Sequence, residues 1–241
     1  MAIGRLKNDF DEGMAPYFLI AATPLALIVG ALAPAPLFPF ILPLAVYPVF
    51  FHFIRQGRLC AAFWLTAFWG TLCFAMVTMA VAQDIGSVRS GAAGLSVIAP
   101  AEAIPGSESM REQLVTVSVA RIGDLAAVAA LSGVSGGALA LVAGTAGLNH
   151  LAVMAGRAVA NGSGLDAAIL SFPPWMVFRA IGLLMVAIGV SYLFILKLEG
   201  RPMEWGKSLR WVGMGLFFLA MDTYFYLSLN QAWGRYLLEA M

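Results

Sequence analysis

Two kinds of residue in this chain could do chemistry: a serine framed by glycines, and charged or imidazole side chains set in apolar stretches. Residues 131–150 read LSGVSGGALALVAGTAGLNH, and Gly133, Ser135 and Gly137 fit the Gly-x-Ser-x-Gly frame in which a sharp turn presents a nucleophilic hydroxyl. Such a serine needs a base within about 2.6–3.2 Å to take its proton. The chain holds 2 histidines, His52 and His150. The same two imidazoles could instead be axial ligands to a haem or chlorin, or two ligands to a metal ion. Arg179 and Asp222 complete the set, each placed in an apolar run where an ionised group is costly and often functional.

Composition says what must position these residues. Of 241 residues, 61% are hydrophobic and 11% charged, against about 25% charged in an ordinary soluble domain. The sequence therefore specifies an all-α integral membrane protein, a polytopic helical bundle of six to seven membrane-inserted helices. A net charge of +1 leaves no basic stripe for nucleic acid. Cys60 and Cys73 are 13 positions apart in one apolar segment, roughly 20 Å along a helix, too far for a disulfide. No lysine falls within an apolar span, which excludes a retinal-type Schiff base. There is neither a P-loop nor a Rossmann fingerprint, and no Cys-His-carboxylate cluster suggests zinc.

Residues 1–82 read as an N-terminal three-helix unit, with spans at 16–33, 37–54 and 59–82. The first two are separated by Ala33-Pro34-Ala35-Pro36, and the second carries Pro39, Pro43 and Pro48, which predict a kink. Residues 83–123 read as a polar connection. Ser109 and Glu112 have capping-box spacing there, and the partly apolar helix that follows either lies at the interface or feeds the next span. Residues 124–241 form a second membrane unit: a Gly-rich hairpin at 124–161, spans at 174–196 and 209–229, and a short interfacial helix from Ala232. Trp175, Trp205, Trp211 and Trp233 mark span ends as an aromatic belt.

The positive-inside rule assigns the turn with Arg55 and Arg58, and the turn from Lys197 to Arg210, to the cytoplasm, along with Arg5 and Lys7. The N-terminus is then cytoplasmic and the C-terminus outside. For both basic turns to lie inside, 124–161 must begin and end outside. Either a pair of crossings or a re-entrant hairpin turning near Gly144–Gly147 satisfies that count, and the hairpin, with a short second limb, is the expectation. Under this reading His150 sits at the inner tip and Ser135 in the outer third.

Gly133-Val134-Ser135-Gly136 also resembles the Gly-x-Ser-Gly of rhomboid intramembrane proteases, and Asn149-His150 resembles their histidine helix; the resemblance covers about twenty residues and implies an intramembrane serine hydrolase at Ser135. Depth argues against it, since Ser135 and His150 are 15 residues apart, roughly 22 Å on a continuous helix. The spacing of small residues instead indicates helix packing. Ser132 with Gly136, Gly133 with Gly137, and Ala140 with Gly144 are small-xxx-small pairs, with Ser135 a contact residue among them.

Counted from the Lys197–Arg210 turn, Arg179 and Asp222 fall at similar depths on neighbouring antiparallel spans, which predicts an intramembrane ion pair. The expected role is non-catalytic: a subunit or accessory factor of a larger complex in a bacterial-type inner membrane, in contact with lipid and with other subunits or itself. The alternative is a small transporter or channel component in which the broken Gly-rich hairpin forms the site. His52 and His150 are the candidates for any cofactor.

Overall fold

The structure is a computed structural model and describes residues 13–85, 110–161 and 173–240. The described residues form α1 (Ala15–Leu32), a 3-10 turn (Ala35–Leu37), α2 (Phe38–Ile41), α3 (Pro43–Arg55), α4 (Leu59–Ala82), α5 (Met110–Ser135), α6 (Ala138–Ala160), α7 (Pro174–Leu198) and α8 (Trp205–Ala240). Among the described residues, seven segments are long and apolar enough to cross a bilayer, with α2 and α3 jointly making the second, Phe38–Arg55. The chain is a multi-pass membrane protein built as a helical bundle.

The helix breaks follow local chemistry. Pro24 and Pro48 stay inside helices, whereas Pro43 opens α3 and leaves only a 3.5 Å bond from Leu42 N–H to the Phe38 carbonyl. Pro174 starts α7, where a missing N–H costs nothing. Gly57 and Gly200, both at positive φ, turn the chain at one end of the bundle. The two turns meet there: Arg55 pairs with Glu199, and Arg201 Nη1 donates to the Arg55 carbonyl at 2.9 Å and to Glu199 Oε2 at 3.2 Å. This is called the basic end below.

The Gly-rich hairpin differs from the sequence expectation. The chain turns at Gly136–Gly137, φ 61° and 95°, and not near Gly144–Gly147. α6 is 23 residues long, so the second limb is a full span, and the segment is a pair of crossings rather than a re-entrant loop. The spacing of small residues concealed this: Gly144 and Gly147 are accommodated inside α6, whereas adjacent glycines both in left-handed geometry end a helix. Asp124 lies in mid-helix, because α5 begins at Met110 and carries a span from Thr116. The helix expected after the polar connection thus feeds straight into the span; Ser109 and residues 86–108 lie outside the described residues. At the other terminus α8 runs unbroken from Trp205 to Ala240, so the separate interfacial helix from Ala232 is not formed.

Helix pairing divides the bundle into two halves. α6 packs chiefly on α4 and also touches α2 and α3; α7 packs chiefly on α8 and next on α5. The Gly136–Gly137 turn is where the chain passes from one half to the other, and α6 and α7 touch each other only slightly. The main core runs along the first half from Phe38 to Phe50 and Phe53, and joins the second half where Ile188 and Ile195 of α7 pack into it. Trp175 is not a lipid-facing belt residue: it is 1% exposed and packs edge-on against Tyr226 and Trp233.

Candidate functional site

Three helices of the second half bring charge into the apolar interior. Arg121 on α5, Arg179 on α7 and Asp222 on α8 are 7%, 3% and 0% exposed. Asp222 Oδ2 lies 3.3 Å from Arg179 Nε and 2.6 Å from Arg121 Nε. Arg179 donates a hydrogen bond across its contact, while the Arg121 N–H is not aimed along its own, which leaves charge pairing without a formed hydrogen bond. The Arg121 guanidinium also lies 5.6 Å from the Tyr226 ring centroid, one helical turn beyond Asp222. Asp124, one turn along α5 from Arg121, is within electrostatic reach of both Arg121 and Asp222.

The sequence located Arg179 and Asp222, and the structure brings them together. It did not locate Arg121, which lay in the stretch read as a polar connection. Its signal was its spacing: Arg121 and Asp124 are the sole charged residues between Thr116 and Ser135, a segment apolar enough to span. Two guanidinium groups thus meet one carboxylate, and the pairing is incomplete. Among the described residues, Arg179 Nη1 and Nη2 have no hydrogen-bond partner, nor does Asp222 Oδ1. An ionised group left without hydrogen bonds in an apolar interior is costly.

Arg179 also lines a cavity of about 450 Å³ on the seam between the halves, bounded by α4, α6 and α7 with Val128 of α5. Phe74, Leu148, Leu151, Ile181, Leu183 and Leu184 make most of its wall apolar. Thr66 and Trp69 contribute an unpartnered Oγ1 and Nε1 respectively. The volume falls in the range of about 300–1,000 Å³ usual for small-molecule sites, and an apolar wall with few polar groups is their usual lining.

The small residues expected to pack divide among three tasks. Ser132 is wholly buried, and a Cβ on Gly133 would make ordinary contact, 3.6 Å, with Val190 of α7. Gly136 and Gly137 make the turn, where a Cβ on Gly137 would collide with Phe50 and sit 2.7 Å from Ser191 Oγ. Ala140 and Gly144 line the cavity instead, and a Cβ on Gly144 meets nothing within 4 Å. The tightest contact of the second half was missed: Gly182 and Gly215 let α7 and α8 meet, a Cβ on Gly182 falling 2.9 Å from the Gly215 carbonyl. They are 33 positions apart, so no motif within one helix could show the match.

Ser135 is a local cap. Its Oγ donates to the Leu131 carbonyl at 2.5 Å and accepts from the Leu139 N–H at 3.0 Å, bridging the break between α5 and α6. The depths expected of Ser135 and His150 are reversed, since Ser135 lies at the hairpin turn near the basic end and His150 twelve residues into α6, roughly 18 Å away along the axis. His150 is therefore out of reach of the hydroxyl, whose oxygen is engaged by Leu131 and Leu139. His52 is near the basic end of α3, its Nε2 3.0 Å from Gln56 Nε2, whereas His150 lines the cavity at mid-depth. The two imidazoles do not face one ligand, and shared coordination of a haem, chlorin or metal is set aside.

Beyond the spans, hydrogen bonding from Arg201 and the pairing with Arg55 hold the Glu199 carboxyl below the usual carboxylate range. Lys207 Nζ lies 5.3 Å from the Tyr192 ring centroid beside this cluster. The cluster ties the end of α3, in the first half, to the α7–α8 turn of the second. Comparison with protein-family models, with characterised proteins and with solved structures yields no match.

Proposed function

We propose that this chain acts without covalent chemistry, as the ligand-holding component of a membrane transport system. The observation that carries this reading is the cavity on the seam, where the slight contact between α6 and α7 permits the halves to separate around a bound molecule. The Gly136–Gly137 turn supplies a connection between the halves at one end, and the Arg55–Glu199–Arg201 cluster latches that same end. Counting Lys and Arg near the spans supports a cytoplasmic position for the latch and the N-terminus, in a bacterial-type inner membrane. Lipid accounts for the exposed apolar faces of α1 and α8, so a role as subunit or accessory factor finds no separate support in them.

The test is transbilayer movement of a fluorescent amphiphile in vesicles containing the protein. In a background with Cys60→Ala and Cys73→Ala, the paired changes Leu148→Cys and Leu184→Cys place thiols on opposite walls of the cavity. Joining them with a short cleavable bifunctional thiol reagent should stop movement, and cleaving the link should restore it. Movement no faster than in protein-free vesicles, or indifferent to the link, contradicts the proposal.

A further inference from the structure

The ligand class can be read from what the cavity leaves unsatisfied, an inference that rests on the ligand-holding reading above. Arg179 is 3% exposed, lines the cavity, and has two guanidinium nitrogens without partners. Its Nε is held by Asp222, which is also paired with Arg121, so the guanidinium is fixed at its base while its outer edge is unused. A guanidinium edge with two free N–H directions matches the two oxygens of a carboxylate or phosphate. Apart from His150, Trp69 and three threonines, the remaining wall is hydrocarbon, with Phe74, Leu148, Leu151 and Leu184 suited to a chain of methylenes.

We infer that the cavity binds an amphiphilic anion, a hydrocarbon chain ending in a carboxylate or phosphate, with the chain between α4, α6 and α7 and a turn of the Arg179 side chain bringing Nη1 and Nη2, now closed off behind the wall, onto the headgroup. Thr66 and Trp69 of α4 line the same space, and their Oγ1 and Nε1, buried behind its surface, have no hydrogen-bond partner among the described residues. Asp222 Oδ1 and Asp124 Oδ2 also lack partners, and as acceptors they repel the headgroup and confine it to the outer edge of Arg179.

The experiment is photoaffinity labelling of the full chain in phosphatidylcholine nanodiscs. Three diazirine-bearing probes of equal chain length are compared: palmitate, monopalmitoyl glycerol phosphate and uncharged monopalmitoyl glycerol. Labelling should be saturable, map to cavity residues on α4, α6 and α7, and be stronger for the two anions than for the neutral probe by about tenfold or more. Which anion dominates identifies the source, a free fatty acid or a phospholipid headgroup. Arg179→Gln should reduce anion labelling to the neutral level, and Arg179→Lys should retain part of the preference. Gly144→Leu, which grows a side chain into open cavity, should abolish labelling by all three.

Equal labelling by charged and neutral probes, removed by Gly144→Leu, overturns the anion assignment and leaves the cavity as a binding site for uncharged ligands. Labelling by all probes that is indifferent to Gly144→Leu, or that maps only to lipid-facing residues of α1 and α8, overturns the site and the ligand-holding reading together. The probe comparison on the unaltered chain decides the anion assignment even if Arg179→Gln fails to fold.

Discussion

At the residue scale, Asp222 is the best-defined polar element of the interior, because side chains of three helices meet at its one carboxylate. Breaking a buried pair by removing one partner leaves an uncompensated charge and costs about 3–5 kcal/mol. Asp222→Asn, which strands two guanidinium groups, is therefore expected to lower the thermal midpoint in mild detergent sharply; a midpoint within a degree or two of the parent would show that the pairing contributes little. Ser135 makes the opposite case, a residue with suggestive neighbours and an ordinary task. Loss of its cap should cost about 1 kcal/mol, so Ser135→Ala is expected to fold with slightly reduced stability and unchanged ligand handling. Complete loss of function in a folded Ser135→Ala protein would restore the catalytic reading.

Helices show which parts of the sequence were legible and which were not. Spans such as Leu59–Ala82 were readable because continuous apolar length is a strong signal that needs no partner. The ion pair was readable because depth can be counted from a shared turn. The hairpin was misplaced because small residues recur through 132–147, and sequence alone does not distinguish glycines that break a helix from glycines inside one. What decides the matter is the pocket each occupies: Phe50 and Ser191 leave Gly137 no room for a Cβ, while Gly144 faces open space. Gly137→Ala combines a steric clash with a positive φ, and about 1–3 kcal/mol of destabilisation is expected from overpacking before backbone strain is added. A measured loss below half a kcal/mol would show that the turn relaxes and does not tightly join the halves. The cavity itself was illegible for the same reason as the Gly182–Gly215 crossing, since both arise between helices distant in sequence.

For the molecule as a whole, the proposed function joins the latch at the basic end to the cavity at mid-depth: the halves are tied at one end, and the proposal has them separate beyond it. The Glu199 carboxyl is held below its ordinary range, so its folded pKa is depressed and its contribution is present above the unfolded value and lost as pH falls through the folded one. Neutral pH should thus keep the latch closed, and acidification below the usual carboxylate range should open it. Glu199→Gln is expected to speed cross-seam movement at neutral pH and to abolish the difference from the parent in acid; a difference that persists unchanged in acid would remove the latch from the account. The central claim is that the seam cavity holds a ligand. Native mass spectrometry of the chain released gently from its own membrane tests it most directly. The parent should carry an adduct of a few hundred daltons above the 25.6 kDa of the chain, and Gly144→Leu should lack it. Bare chain in the parent, or the same adduct in both proteins, would contradict the claim.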